Sequence, residues 1–158
     1  MNEAPVILSM DEVKSLSHKL LEENKTVKLR LGGYSMFPVL LPGDIAVVEP
    51  ITGLPKIGDV VVVALPEKWI AHRVVRVIQG AEKVEITTQG DSSRKPDDIE
   101  ASQKTIGTIS CFERDGMALK VDEGWRAFLG VVMVKTKPIP QIFSRLVLRV
   151  RRLARKLT

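Results

Sequence analysis

Two hydrophobic periods divide the 158-residue chain. Met10, Val13, Leu16, Leu20 and Leu21 recur at helical spacing and predict one amphipathic helix over residues 10–23. Ser9 and Glu12 frame its start as a capping box, in which the serine side chain caps the first turn and the glutamate reaches back. His18 shares the polar face with Asp11, Lys14 and Glu22 and reads as an exposed helix histidine. From Thr26 the period drops to that of extended chain. Runs rich in Val and Ile, separated by turn residues, predict strands near 26–31, 44–49, 58–65, 69–78, 83–89, 105–113 and 117–122. Asp115-Gly116 is a two-residue hairpin signal, and Gln79-Gly80-Ala81-Glu82 a second connection. Gly43-Asp44 and Gly58-Asp59 each open a strand behind a proline-containing turn. No strand alternates with a long helix, which argues against a parallel α/β sheet. The expectation is a mainly β fold, an antiparallel barrel or sandwich, with a helix at each end.

Prolines 138 and 140 set the clearest boundary. The organisation expected is an N-terminal helix over 1–25 packed on the core, a β-rich domain over 26–134, and a tail over 135–158. Charge divides at nearly the same place. Nine of the 24 Lys and Arg residues lie from Gly124 onward, and none of the 19 acids does. The body is therefore mildly acidic, and the basic balance belongs to the tail. In residues 141–158, Ile142, Phe143, Leu146, Val147, Val150, Leu153, Ala154 and Leu157 form one helical stripe. Arg145, Arg149, Arg152 and Lys156 form another. Such a helix suits either an anionic membrane surface or a docking site on its own domain or a partner. Nucleic acid is not an expected partner, because the body is acidic and aromatics are only 4% of residues. One cysteine, Cys111, excludes an internal disulfide, and with two histidines it excludes a cysteine-rich metal site. No metal or cofactor is expected. The residues before Met10 are too short and too weakly charged for a secretory signal peptide, and no apolar run approaches the ~20 residues of a spanning helix. A cytoplasmic domain, peripheral at the membrane through its tail, is the expected location.

Three clusters hold the candidate reactive groups: Ser35 in GGYSMFP, His72 in WIAHRVV, and Asp91 with Asp97 and Asp98 in GDSSRKPDD. A serine hydroxyl needs a base to act as a nucleophile near neutral pH, and an imidazole both accepts and returns a proton. An acid on the other ring nitrogen fixes the tautomer. Strand alternation puts Ile70, His72 and Val74 on one face, and Ala71, Arg73 and Val75 on the other. Taken singly, each group has an ordinary reading: a turn serine, a strand histidine, loop acids.

The segments resemble a known family in order and content. GYSMFPVLLPGD is similar to the G-x-S-M-x-P segment of the type I signal peptidases. GDVVVVALPEKWIAHRVVRV resembles their GD-V-V-V strand and the strand bearing the general base. TTQGDSSRKPDDIEASQKTIGTI resembles the later G-D loop and I-G strand. The likeness spans about residues 30–112, with histidine in place of the bacterial lysine, as in the archaeal and endoplasmic-reticulum type. The resemblance implies Ser35 as nucleophile, His72 as base, Asp97 as the acid that orients His72, and Asp91 as a supporting acid, with Asp98 a weaker candidate. It also implies a β-rich catalytic core and a leader peptide or preprotein bound as an extended strand at a sheet edge, cut after small residues. Some relatives carry a serine donor two residues before the nucleophile. Gly33 stands there, so an oxyanion hole has to rely on backbone groups. Gly32 and Gly33 are expected to let the substrate backbone come close, and Met36 and Pro38 to fix the turn. A non-catalytic peptide-binding module and a self-cleaving regulator related to the SOS repressors are the alternatives. The regulator calls for a lysine where His72 stands.

Overall fold

The computed structural model describes residues 9–80, 83–98 and 104–122. Helix α1 (Met10–Glu22) starts at the predicted capping box: Glu12 N–H donates to Ser9 Oγ at 3.3 Å, and Ser9 N–H donates to the Glu12 carboxylate at 2.7 Å. Seven strands follow, β1 (Val27–Arg30), β2 (Ile45–Glu49), β3 (Val60–Ala64), β4 (Trp69–Gln79), β5 (Val84–Gln89), β6 (Thr105–Arg114) and β7 (Met117–Lys120). All pairings are antiparallel, in the order β1-β2-β6-β3-β4-β5 with β7 also on β6. β2 pairs with residues of β6 that β3 and β7 also pair with. A strand has only two edges, so β3 and β7 share the edge of β6 opposite β2.

Barrel closure, one of the forms expected, is not formed: no pairing joins the β1 edge to the β5 edge among the described residues. The core instead spreads over both faces of one sheet. Val60 and Val62 pack with Leu21, Val27, Met36, Leu40, Val48 and Phe112. Val61 and Val63 pack on the other face with Val74, Ile70 and Val77. Burial on both faces is why β3 reads as an unbroken valine run rather than an alternating one.

Helix α1 lies against β1 and β6. Its inward face keeps the C-terminal part of the apolar stripe and is turned so that Ser17 rather than Leu16 completes it. Leu21 and Ser17 are buried and Leu20 packs on the core, whereas Met10 is 72% and Leu16 49% exposed. Close approach at this contact depends on Gly107, where a Cβ would stand 2.6 Å from Val48 Cγ1 and 3.6 Å from Leu21 Cδ1. His18 is exposed and pairs with Glu22 at 3.3 Å, as its polar-face position implied.

The turns follow their chemistry. Asp115 and Gly116 both have positive φ, +52° and +78°, in the two-residue turn between β6 and β7, the mirror-image form that suits the twist of a hairpin. Ahead of β2, Asp44 accepts from Leu41 N–H at 2.7 Å, and ahead of β3, Asp59 accepts from Lys56 N–H at 2.7 Å. Arg114 then grips Asp44 with Nε and Nη2 at 2.8 and 2.6 Å and reaches Val39 O at 3.0 Å, tying the 34–44 segment to β6. Among the described residues no helix is long and apolar enough to cross a membrane. The tail from 135 and its stripes lie outside the described residues.

Candidate functional site

Strand β4 carries the histidine. Its register on β3 sets His72 opposite Val61, and alternation places its side chain on the face of Ile70 and Val74 while Trp69 and Ala71 turn to the other core cluster. The His72 side chain is 8% exposed. Its Nδ1 lies 2.6 Å from Asp97 Oδ2, and the same oxygen accepts the Thr88 hydroxyl at 2.6 Å. Asp97 N–H returns a bond to Thr88 O at 2.8 Å, so the acid is fixed at both its side chain and its backbone to β5.

Partial burial pushes the Asp97 carboxyl up, but the hydrogen bonds from His72 and Thr88, with the charges of His72 and Lys68, outweigh it and hold the group below its ordinary value. The acid is therefore ionised near neutral pH and can only accept. Nδ1 must then carry a proton toward the carboxylate, and Nε2 is the ring nitrogen left to face away from Asp97.

Gly90 brings the Ser35 segment to the far ring nitrogen, Nε2. A Cβ at Gly90 would lie 2.9 Å from His72 Nε2, 2.8 Å from Ser35 O and 2.6 Å from Ser93 Oγ. Ser35 and the far nitrogen of His72 thus flank one point that only a glycine leaves open. The Ser35 turn is anchored from below: Phe37 N–H bonds Tyr34 O and Leu40 N–H bonds Met36 O, both at 3.0 Å, while Met36, Phe37, Val39 and Leu40 are buried. Pro38 follows a cis peptide bond. Ser35 itself is only partly buried, and its hydroxyl forms no hydrogen bond with His72 among the described residues. A Cβ at Gly32 or Gly33 would meet nothing within 4 Å, so among the described residues no contact requires a glycine at either position.

Asp91 is committed elsewhere. It takes a two-pronged ion pair from Arg73, Nε–Oδ1 at 2.8 Å and Nη2–Oδ2 at 2.7 Å, while Arg73 Nη1 donates to Gly58 O at 2.8 Å. The Arg73 side chain is 5% exposed and that of Asp91 1%. Burial drives the Asp91 carboxyl up from its ordinary value, and the Arg73 hydrogen bonds and charge oppose that rise. Asp98 is exposed.

The structure thus draws Ser35, His72 and Asp97 around one site and gives Asp91 an arginine partner beside it. Thr88, Ser92, Gly90 and Arg73 are also part of the arrangement; Gly90 and Arg73 stood within the motifs of the resemblance, with no role given to them there. Arg73 carried a readable signal, since an arginine inside an apolar strand needs a buried partner. Thr88 and Ser92 carried none.

Among known proteins, the model of the family described as Peptidase S24-like matches residues 4–109, well over half of the chain. The chain is 32% identical over 80 residues to the signal peptidase complex catalytic subunit sec11 of Schizosaccharomyces pombe. That match takes in 49% of this chain and 40% of the yeast protein, so the chain spans well under two thirds of that relative's length. No solved structure matches.

Proposed function

The chain belongs to the Peptidase S24-like family, and from that premise we propose that it is a serine endopeptidase of signal-peptidase type, cleaving leader or signal peptides after small residues. The observation that carries this reading is the ionised Asp97 on His72 Nδ1 at 2.6 Å, with Nε2 turned to the Ser35 turn across Gly90.

In this mechanism Ser35 Oγ attacks the scissile carbonyl as His72 Nε2 takes its proton. Asp97 steadies the imidazolium that results. The proton then passes to the departing amine, and a water repeats the sequence to free the acyl group. The tetrahedral oxyanion is held by the Ser35 N–H, which has no partner among the described residues; one such donor contributes about 3–4 kcal/mol. The missing Ser35–His72 bond does not oppose the reading, since such bonds tighten as substrate enters and water leaves. Gly32 and Gly33 leave space beside the serine for the incoming strand.

Purified protein incubated with leader peptides bearing alanine at the first and third positions before the cut is expected to cleave them. Ser35→Ala and His72→Ala are each expected to abolish cleavage. Equal turnover by all three proteins would remove this assignment, and peptide bound but left uncut by wild type and Ser35→Ala alike would point to a peptide-binding module instead. The family match also accommodates a self-cleaving regulator. That reading predicts first-order cleavage of the chain itself, independent of its concentration and of added peptide, and it requires a base other than the lysine it ordinarily uses.

Residues 141–158 would bring the enzyme to anionic lipid. Full-length protein is expected to sediment with phosphatidylserine-containing vesicles, and deletion of residues 138–158 to release it. Unchanged sedimentation after the deletion would remove the tail from that role.

A further inference from the structure

We propose that Ser92 is a positioning residue that sets both the direction of the Ser35 side chain and the strength of its oxyanion donor, an inference that rests on the peptidase reading. Ser92 N–H donates to Ser35 O at 2.8 Å. Its hydroxyl lies 2.7 Å from Tyr34 O and 3.1 Å from Ser35 O. One hydroxyl proton serves the shorter contact best, so the hydroxyl holds Tyr34 O and the backbone N–H holds Ser35 O.

Those two carbonyls belong to the peptide planes on either side of Ser35 Cα. Holding both planes fixes φ and ψ at Ser35, and with them the direction in which its Cα–Cβ bond points. The Tyr34 carbonyl has a second effect. It shares a peptide unit with the Ser35 N–H, the group that meets the oxyanion. A hydrogen bond on the carbonyl polarises that unit and strengthens its N–H as a donor.

The clamp is rooted where it needs to be. Ser92 follows Asp91, which Arg73 grips with two hydrogen bonds, and stands two residues beyond Gly90, which packs against His72 Nε2. One short segment therefore registers the nucleophile against the base. Arg114 ties the same turn to β6 farther along, at Val39 O, but among the described residues only Ser92 reaches the Ser35 carbonyl, and only Ser92 reaches the Tyr34 carbonyl from outside the turn.

The test compares wild type, Ser92→Ala and Ser92→Thr in the full chain, using leader-peptide cleavage and the rate at which a fluorophosphonate labels Ser35. Ser92→Ala keeps the backbone bond and loses the hydroxyl. It is expected to lower kcat about five- to tenfold, the scale of one net hydrogen bond, to slow labelling in parallel, and to leave KM within about twofold. Ser92→Thr restores the hydroxyl and both rates. Should Ser92→Ala fail to fold, Ser92→Cys, close in size and a weak donor, carries the same comparison. Wild-type rates in Ser92→Ala, a loss confined to KM, or a threonine variant as slow as alanine would each overturn the clamp while leaving the peptidase reading intact. A wild-type protein that neither cleaves nor labels would overturn both.

Discussion

Asp97→Asn is expected to lower kcat by about 10³–10⁴ with little change in KM, as loss of the orienting carboxylate does in serine-histidine-aspartate enzymes. The cause lies in one oxygen. Asp97 Oδ2 receives both His72 Nδ1 and the Thr88 hydroxyl at 2.6 Å. An asparagine that turns its amide nitrogen toward the ring forces the proton onto Nε2, and a base that already carries its proton cannot take another. An asparagine that turns its oxygen inward keeps the tautomer but loses the charge that steadies the imidazolium. Either way the chemical step suffers and peptide binding does not. The same substitution has a pH signature. Asp97 is held below its ordinary value in the folded protein, so its contribution to stability is present above the unfolded-state pKa of about 3.9. That contribution disappears as pH falls through the lower folded value. The difference in melting temperature between wild type and Asp97→Asn is therefore expected at neutral pH and to close in acid. A variant that cleaves within about tenfold of wild type would remove Asp97 from the mechanism.

What the sequence made legible follows how local each signal is. The seven strands were read within a few residues of their limits: most are Val- or Ile-rich runs bounded by turn residues, and β7, which holds neither Val nor Ile, was marked by the Asp115-Gly116 hairpin turn before it. The capping box of α1 involves four consecutive residues and was equally plain. The face that α1 buries was legible only in part: Leu20 and Leu21 stood in the apolar stripe, but Leu16 and Ser17 differ by one position and only the contact with β1 and β6 decides between them. At the site, Ser35, His72 and Asp97 stood out through the family's motif order. Spacing alone could not join positions as distant as 35, 72 and 97. The partner of Asp91 was hidden for a related reason: the strand pattern set Arg73 on the face opposite His72, but not what waits there. Ser92 acts through backbone carbonyls 57 and 58 residues away, and a serine's reach across loops leaves no mark in the sequence around it.

Breaking the Arg73–Asp91 pair is expected to weaken the fold itself. Arg73→Met leaves a carboxyl that is 1% exposed without its charge partner, and such a loss costs about 3–5 kcal/mol. Asp91→Asn strands the guanidinium in the same way, apart from its bond to Gly58 O. Replacing both with apolar residues is expected to recover most of the loss, because the pair must offset its own desolvation. The pH dependence runs opposite to that of Asp97. Burial already raises Asp91 against the pull of Arg73. Without Arg73 the folded-state value climbs further above the unfolded one, so the variant keeps its stability below about pH 4 and loses it as pH rises. Urea midpoints from pH 4 to 8 should show Arg73→Met falling steadily further behind wild type. Activity separates the two acids. Measured well below its midpoint, Asp91→Asn is expected to retain kcat within about tenfold, because the hydrogen bonds of Asp91 go to Arg73 and it reaches His72 only through its charge. A kcat loss in Asp91→Asn as deep as that of Asp97→Asn would show that Asp91 serves His72 directly rather than anchoring the loop beside it, and a pH-independent deficit in Arg73→Met would remove the ionisation of Asp91 as its cause.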